Sequence, residues 1–181
     1  MEARHLILMI LEACGKRIES KTKLQKIAYF ISILLKKDFQ FNAYYYGPYS
    51  RSIEEGLGEL TGAGFLNVSM TSYGLDSIHG FEKKRYDYDI TEAGEALLKH
   101  LKTQHAKEYE EIQQYTNFLK EENYFDLSIA AKSYFIIEKE KQPLTRDQIC
   151  LKAREFHWNI SQSEIDSAIK ILMNLRLIKE N

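Results

Sequence analysis

The chain has 181 residues, of which 44% are hydrophobic and 28% charged, with a net charge of −1. That composition supplies a packed core and excludes global disorder, and the near-zero charge excludes a wholly basic polyanion binder. The longest apolar run, Ile27 to Leu35, is broken by Ser32 and falls short of the ~20 residues of a membrane span.

Leu6, Ile7, Ile10 and Leu11 recur at helical spacing, so the first helix is expected over residues 2–14, stopped at Gly15. A second helix should begin near Ser20 or Thr22, turn Leu24, Ile27, Ala28, Ile31, Leu34 and Leu35 inward, and end at Lys36-Lys37-Asp38. Its other face is basic, with Lys23, Gln25 and Lys26 read as solvated. Phe39 to Tyr46 is an aromatic, extended segment, and Gly47-Pro48 closes it in a turn. Ser52-x-x-Glu55 has the form of a capping box opening a third helix, with Ile53, Leu57 and Leu60 as a narrow apolar stripe and Gly62 or Gly64 as its stop.

The period then changes. Residues 65–70 and 85–90 read as two strands of a hairpin, joined by a long loop that contains Gly74 and Gly80. Thr91 caps a helical region that reaches Leu101 and extends toward Lys120, with a polar middle over 103–114. A further block starts near Asp126, Pro143 closes a loop, and Thr145 to Gln148 and Ser161 to Glu164 form two more capping boxes. Residues 175–178 end the chain as a short strand.

Three helices followed by a β-hairpin give the winged helix-turn-helix order, so the fold class is α+β, mainly helical. The expected organisation is a winged helix-turn-helix module over 1–101, a connecting helix over 102–125 and a C-terminal helical module over 126–181. Helix, helix, helix, strand recurs in both halves, which makes a second, degenerate helix-turn-helix one reading of the last block.

Lys23-Leu24-Gln25-Lys26-Ile27-Ala28-Tyr29-Phe30, followed by Tyr46-Gly47-Pro48-Tyr49-Ser50, resembles the Lys-Leu-Gln-Lys and Tyr-Gly-Pro signatures of the Panacea (SocA-like) antitoxin family. The pair is similar, more closely, to the uncharacterised YwgA-like bacterial proteins. The resemblance covers residues 1–100 or so. It implies a winged-helix-like interaction module of prokaryotes, with toxin neutralisation in the Panacea group and no assigned activity in the YwgA-like one.

Charge is unevenly spread. Residues 1–50 hold eight Lys and Arg against four Asp and Glu, whereas 51–100 hold five against nine. Candidate nucleic-acid contacts are therefore Lys16, Arg17, Lys21, Lys23 and Lys26 around the second helix, Arg51, and Lys83, Lys84 and Arg85 in the wing. The third helix also carries Glu54, Glu55 and Glu59, which repel a polyanion. Tyr44, Tyr45, Tyr46 and Tyr49 are candidate partner contacts, because tyrosine joins an apolar ring to a polar tip.

His5, His79, His100, His105 and His157 have no metal-ligand spacing, and no phosphate loop or nucleophile elbow is present. No catalytic residue, metal or cofactor is expected, and the chain reads as non-enzymatic. Cys14 and Cys150 each stand alone on an apolar helical pattern and read as buried free thiols. Glu2, Glu12 and the following Gly-Lys-Arg are the wrong order for a secretory signal, so a cytoplasmic protein off the membrane is expected. Its expected function is that of a DNA-associated transcriptional regulator bound to duplex DNA, or of an antitoxin-like module that neutralises a toxin-like protein partner. A homodimer is compatible with either.

Overall fold

Six consecutive apolar residues, Leu6 to Leu11, cannot all face one side of a helix, so a helix built from them must be surrounded. The structure, a computed structural model, describes residues 1–75 and 82–179, apart from the side chains of Glu82 and Lys83. His79, Gly80 and the Lys83 side chain lie outside the described residues. Helix α1 (Ala3–Ala13) is the central element, with Leu6 to Leu11 wholly buried. It stops as expected: Gly15 and Lys16 both have positive φ, and Lys16 N donates back to the Leu11 carbonyl.

The chain then enters strand β1 (Arg17–Glu19), which the sequence reading does not include. Three residues are too few to show a period. Helix α2 (Lys21–Leu34) follows, and a hairpin of β2 (Phe41–Tyr44) and β3 (Gly47–Ser50) leads into α3 (Arg51–Gly62). Gly47-Pro48 is thus the start of a strand rather than an isolated turn; Tyr44 pairs with Gly47, leaving Tyr45 and Tyr46 at the tip. Gly47, at φ +103°, takes the left-handed conformation that lets the chain reverse there.

The cap of α3 is Ser50, not Ser52. Ser50 Oγ accepts from Ile53 N at 3.3 Å, while Ser52 Oγ donates to the Phe39 carbonyl at 3.1 Å, and Glu55 pairs with Arg51. The hairpin expected as a wing is β4 (Leu66–Leu75) and β5 (Glu82–Ile90), paired antiparallel with Val68 opposite Tyr88 and Met70 opposite Tyr86. Strand β1 joins the other side of β5, giving a three-stranded sheet in the order β1-β5-β4.

The helix expected from Thr91 toward Lys120 is two helices, α4 (Glu92–Gln104) and α5 (Ala106–Leu119), broken at His105. The break lets α5 turn and bury Ile112, Thr116 and Leu119, and Gln113 Nε2 donates to the Met9 carbonyl of α1. Helix α6 (Tyr124–Glu140) then packs on α2 and β3, and α7 (Arg146–Glu155) and α8 (Gln162–Asn174) pack on α6. Residues 175–178 form no strand: Leu175 caps α8, Arg176 is left-handed, and Leu177 N closes back on the Leu172 carbonyl. The observed class is α+β, mainly helical. Among the described residues no helix is long and apolar enough to cross a membrane.

Both C-terminal capping boxes form, with Thr145 and Gln148, and Ser161 and Glu164, bonding reciprocally. Thr145→Ala removes one half of such a box. Urea unfolding is expected to register a loss of about 1 kcal/mol, with an unchanged denaturant slope.

Candidate functional site

Residues 23–30 and residues 46–50 touch. Gln25 Nε2 donates to the Ser50 carbonyl and Ser50 N donates to Gln25 Oε1, both at 3.0 Å, so one side chain satisfies both backbone groups of the α3 cap residue. One position on, Lys26 Nζ donates to the Pro48 carbonyl at 2.7 Å. Gln25 is 1% exposed and Lys26 2%. Both were expected on a solvated face; the hairpin and α6 cover that face, so Lys26 is withdrawn from the outer surface that a duplex backbone would meet and borders only the groove between these elements. Burial, together with nearby Lys132, pushes the Lys26 ammonium down to about 7.

The hairpin is held from its other side by the C-terminal block. Trp158 is buried, stacks on Phe156 at 4.8 Å, and donates Nε1–H to the Tyr44 carbonyl at 2.7 Å. Above this support Tyr44, Tyr45 and Tyr46 are 63%, 62% and 53% exposed, while Tyr49 is half-buried. Tyr45 and Tyr46 meet edge to face at 4.8 Å. Burial, followed by the nearby Glu54 carboxylate, pushes the Tyr49 phenol up to about 12.

Most of the remaining basic candidates carry carboxylate partners. Lys16 pairs with Glu95 at 2.8 Å, Arg17 with Asp89 at 3.1 Å, Lys21 with Glu54 at 2.9 Å and Arg51 with Glu55 at 2.9 Å. Arg85 pairs with Asp87 at 2.9 Å and approaches Glu19 at 3.8 Å. The buried Asp87 also accepts from Arg17 and from Ser20 N, tying β1 and the start of α2 to the wing. Lys23 differs: its ammonium donates to the Lys120 carbonyl at 2.5 Å. Lys84 is exposed on β5. On α3, Glu55 and Glu59 are exposed and Glu54 half-buried, so this helix presents carboxylates outward.

Between the first turns of α2, the hairpin, β1, the wing and the start of α6 lies a groove of about 770 Å³. Tyr44, Tyr46, Tyr49, Tyr73, Tyr86 and Tyr124 line it, with Lys21, Lys23, Lys26, Lys84 and Arg85. The hairpin tyrosines and the α2 lysines are legible in the sequence as separate clusters, whereas Tyr73, Tyr86 and Tyr124 come from β4, β5 and α6 and carry no local signal. A second depression, of about 990 Å³ between α6, α7 and α8, is lined by aliphatic side chains such as Ile137, Ile149 and Ile165 and by no aromatic one.

Among the described residues no three His, Cys, Asp or Glu side chains come together as a metal set would require. Cys14 and Cys150 are free and half-buried rather than fully buried, and burial pushes the Cys14 thiol up to about 11. No protein-family model matches the chain, and none of the curated proteins matches it.

Proposed function

We propose that this chain is a non-enzymatic winged helix-turn-helix protein of the cytoplasm that binds a protein partner, as an antitoxin does, through its tyrosine hairpin. The order α1-β1-α2-α3-β4-β5 and the sheet order β1-β5-β4 support the winged-helix reading, with the hairpin inserted where α2 turns into α3. The observation that carries the partner reading is the exposure of three consecutive tyrosines on a support fixed by Gln25, Lys26 and Trp158. Rigid aromatic anchors lose little entropy on binding, which is why they dominate interfaces. The resemblance to YwgA-like and Panacea proteins agrees with it, since its two signature segments build and hold that hairpin.

A DNA-associated regulator is the second reading, favoured by one observation. Lys23, in the first turn of α2, has a carbonyl rather than a carboxylate as its partner, which leaves donor hydrogens that suit a phosphate. The outward carboxylates of α3 weigh against base reading by that helix.

The tagged protein, captured from its native host and analysed for both protein and nucleic acid, separates the two. On the partner reading a stoichiometric protein is recovered, and Tyr45→Ala with Tyr46→Ala loses it while stability changes by less than about 0.5 kcal/mol, as for other exposed substitutions. Recovery of duplex DNA that is released by Lys23→Ala and retained by the tyrosine variant moves the assignment to the regulator.

A further inference from the structure

Two ammonium groups on α2 border the tyrosine-lined groove without a carboxylate. Lys23 Nζ is bonded to the Lys120 carbonyl and Lys26 Nζ to the Pro48 carbonyl, each a neutral acceptor that uses one of three donor hydrogens. The charged neighbour acting on Lys26 is another cation, Lys132. Elsewhere on the wall the cations are matched: Lys21 to Glu54, and Arg85 to Asp87 and Glu19. A buried ammonium without a counter-ion is costly unless it is neutralised or meets an anion. Here the Lys26 side chain is 2% exposed and lines a groove open to solvent.

The other half of the wall is aromatic. Tyr44 and Tyr49 approach at 5.1 Å between ring centroids, and Tyr73 and Tyr124 are 59% and 58% exposed. Flat, exposed rings beside unbalanced cations are the pairing that recognises a nucleotide, the rings stacking on a base and the ammoniums meeting its phosphate. The volume, about 770 Å³, is within the range of small-ligand clefts.

We propose that this groove is a nucleoside phosphate site, with Lys23 and Lys26 on the phosphate and the tyrosine wall on the base. The ligand is either a free nucleotide or an unpaired nucleotide of a single strand; the chemistry is shared. The site goes beyond the partner reading; Tyr44 and Tyr46 border both surfaces, whereas Tyr45, at the hairpin tip, does not line the groove and so separates the two readings.

Calorimetric titration of the full chain with guanosine and adenosine 5′-monophosphates, inorganic phosphate and a short single-stranded oligonucleotide tests it. A nucleotide or the oligonucleotide should bind at least about tenfold more tightly than phosphate, because stacking adds to the charge contact. Tighter binding of the mononucleotide identifies a free ligand, and tighter binding of the oligonucleotide identifies a strand. Lys23→Ala and Tyr73→Ala should each weaken it about tenfold, and Tyr45→Ala should leave it unchanged. Lys26→Met should abolish it, with far-ultraviolet circular dichroism checking the fold; the two surface variants decide the matter if that protein is unfolded. Absence of binding by every nucleotide probe at millimolar concentration overturns the proposal, as does binding that neither Lys23→Ala nor Tyr73→Ala weakens. Loss of the protein partner with nucleotide binding intact in Tyr45→Ala keeps the two sites distinct.

Discussion

Gly94→Ala is expected to destabilise the protein by about 3 kcal/mol, the upper part of the range for overpacking. For a chain of this size that lowers the melting temperature by roughly 10 °C. A methyl group at Gly94 would stand 2.3 Å from the Phe65 carbonyl oxygen and 2.9 Å from Ile90 Cγ2. The first obstacle is backbone, so it cannot rotate away. Gly94 N also donates to the Thr91 cap at 3.1 Å, and Thr91 Oγ1 donates to the Gly64 carbonyl, so α4 cannot retreat without loosening its own start and the base of the wing. Gly58→Ala is the matched control: it lies within α3, nothing would be within 4 Å of the new methyl, and alanine there should stabilise the helix by up to about 1 kcal/mol. Differential scanning calorimetry of both variants should give shifts of opposite sign.

Gln25→Leu is expected to cost about 3 kcal/mol by urea unfolding, although leucine is a good helix former of similar length. The wild-type amide exchanges two bonds with the Ser50 backbone inside the protein. Removing it leaves a buried N–H and a buried C=O unpaired, and each such group costs about 1–3 kcal/mol. Gln25→Glu separates hydrogen bonding from shape: the carboxylate retains an acceptor for Ser50 N but sets a buried charge against the Ser50 carbonyl oxygen, so a loss at least as large is expected at neutral pH. If Gln25→Leu were as stable as wild type, the join between α2 and the hairpin would have to owe its form to something other than this clamp.

The clamp also marks where the sequence stopped being legible. The capping boxes of α7 and α8, the stop of α1 at Gly15 and the two wing strands were readable because each is fixed by residues within a few positions of one another. The environment of Lys26 is not local. Its side chain sits on what is, by the spacing of α2 alone, a polar face, and it is buried because Pro48 of the hairpin and Lys132 of α6 lie against it. The basic appearance of the second helix overstated its accessible charge for that reason. Strand β1 escaped notice because it is defined by its partners, Arg17 opposite Asp89 and Glu19 opposite Asp87, more than by its own composition. The exposed tyrosines were readable as a cluster; their exposure was not.

The bond from Trp158 to the Tyr44 carbonyl spans 114 positions of chain. During synthesis the aromatic loop therefore leaves the ribosome well before the indole that braces it, and contacts of such separation are the slow ones to close. Until Trp158 has been made and packed, the hairpin stands with its tyrosines displayed and unbraced. A chain that stops short of Trp158 keeps the lettering of this surface while lacking the strut that gives it shape.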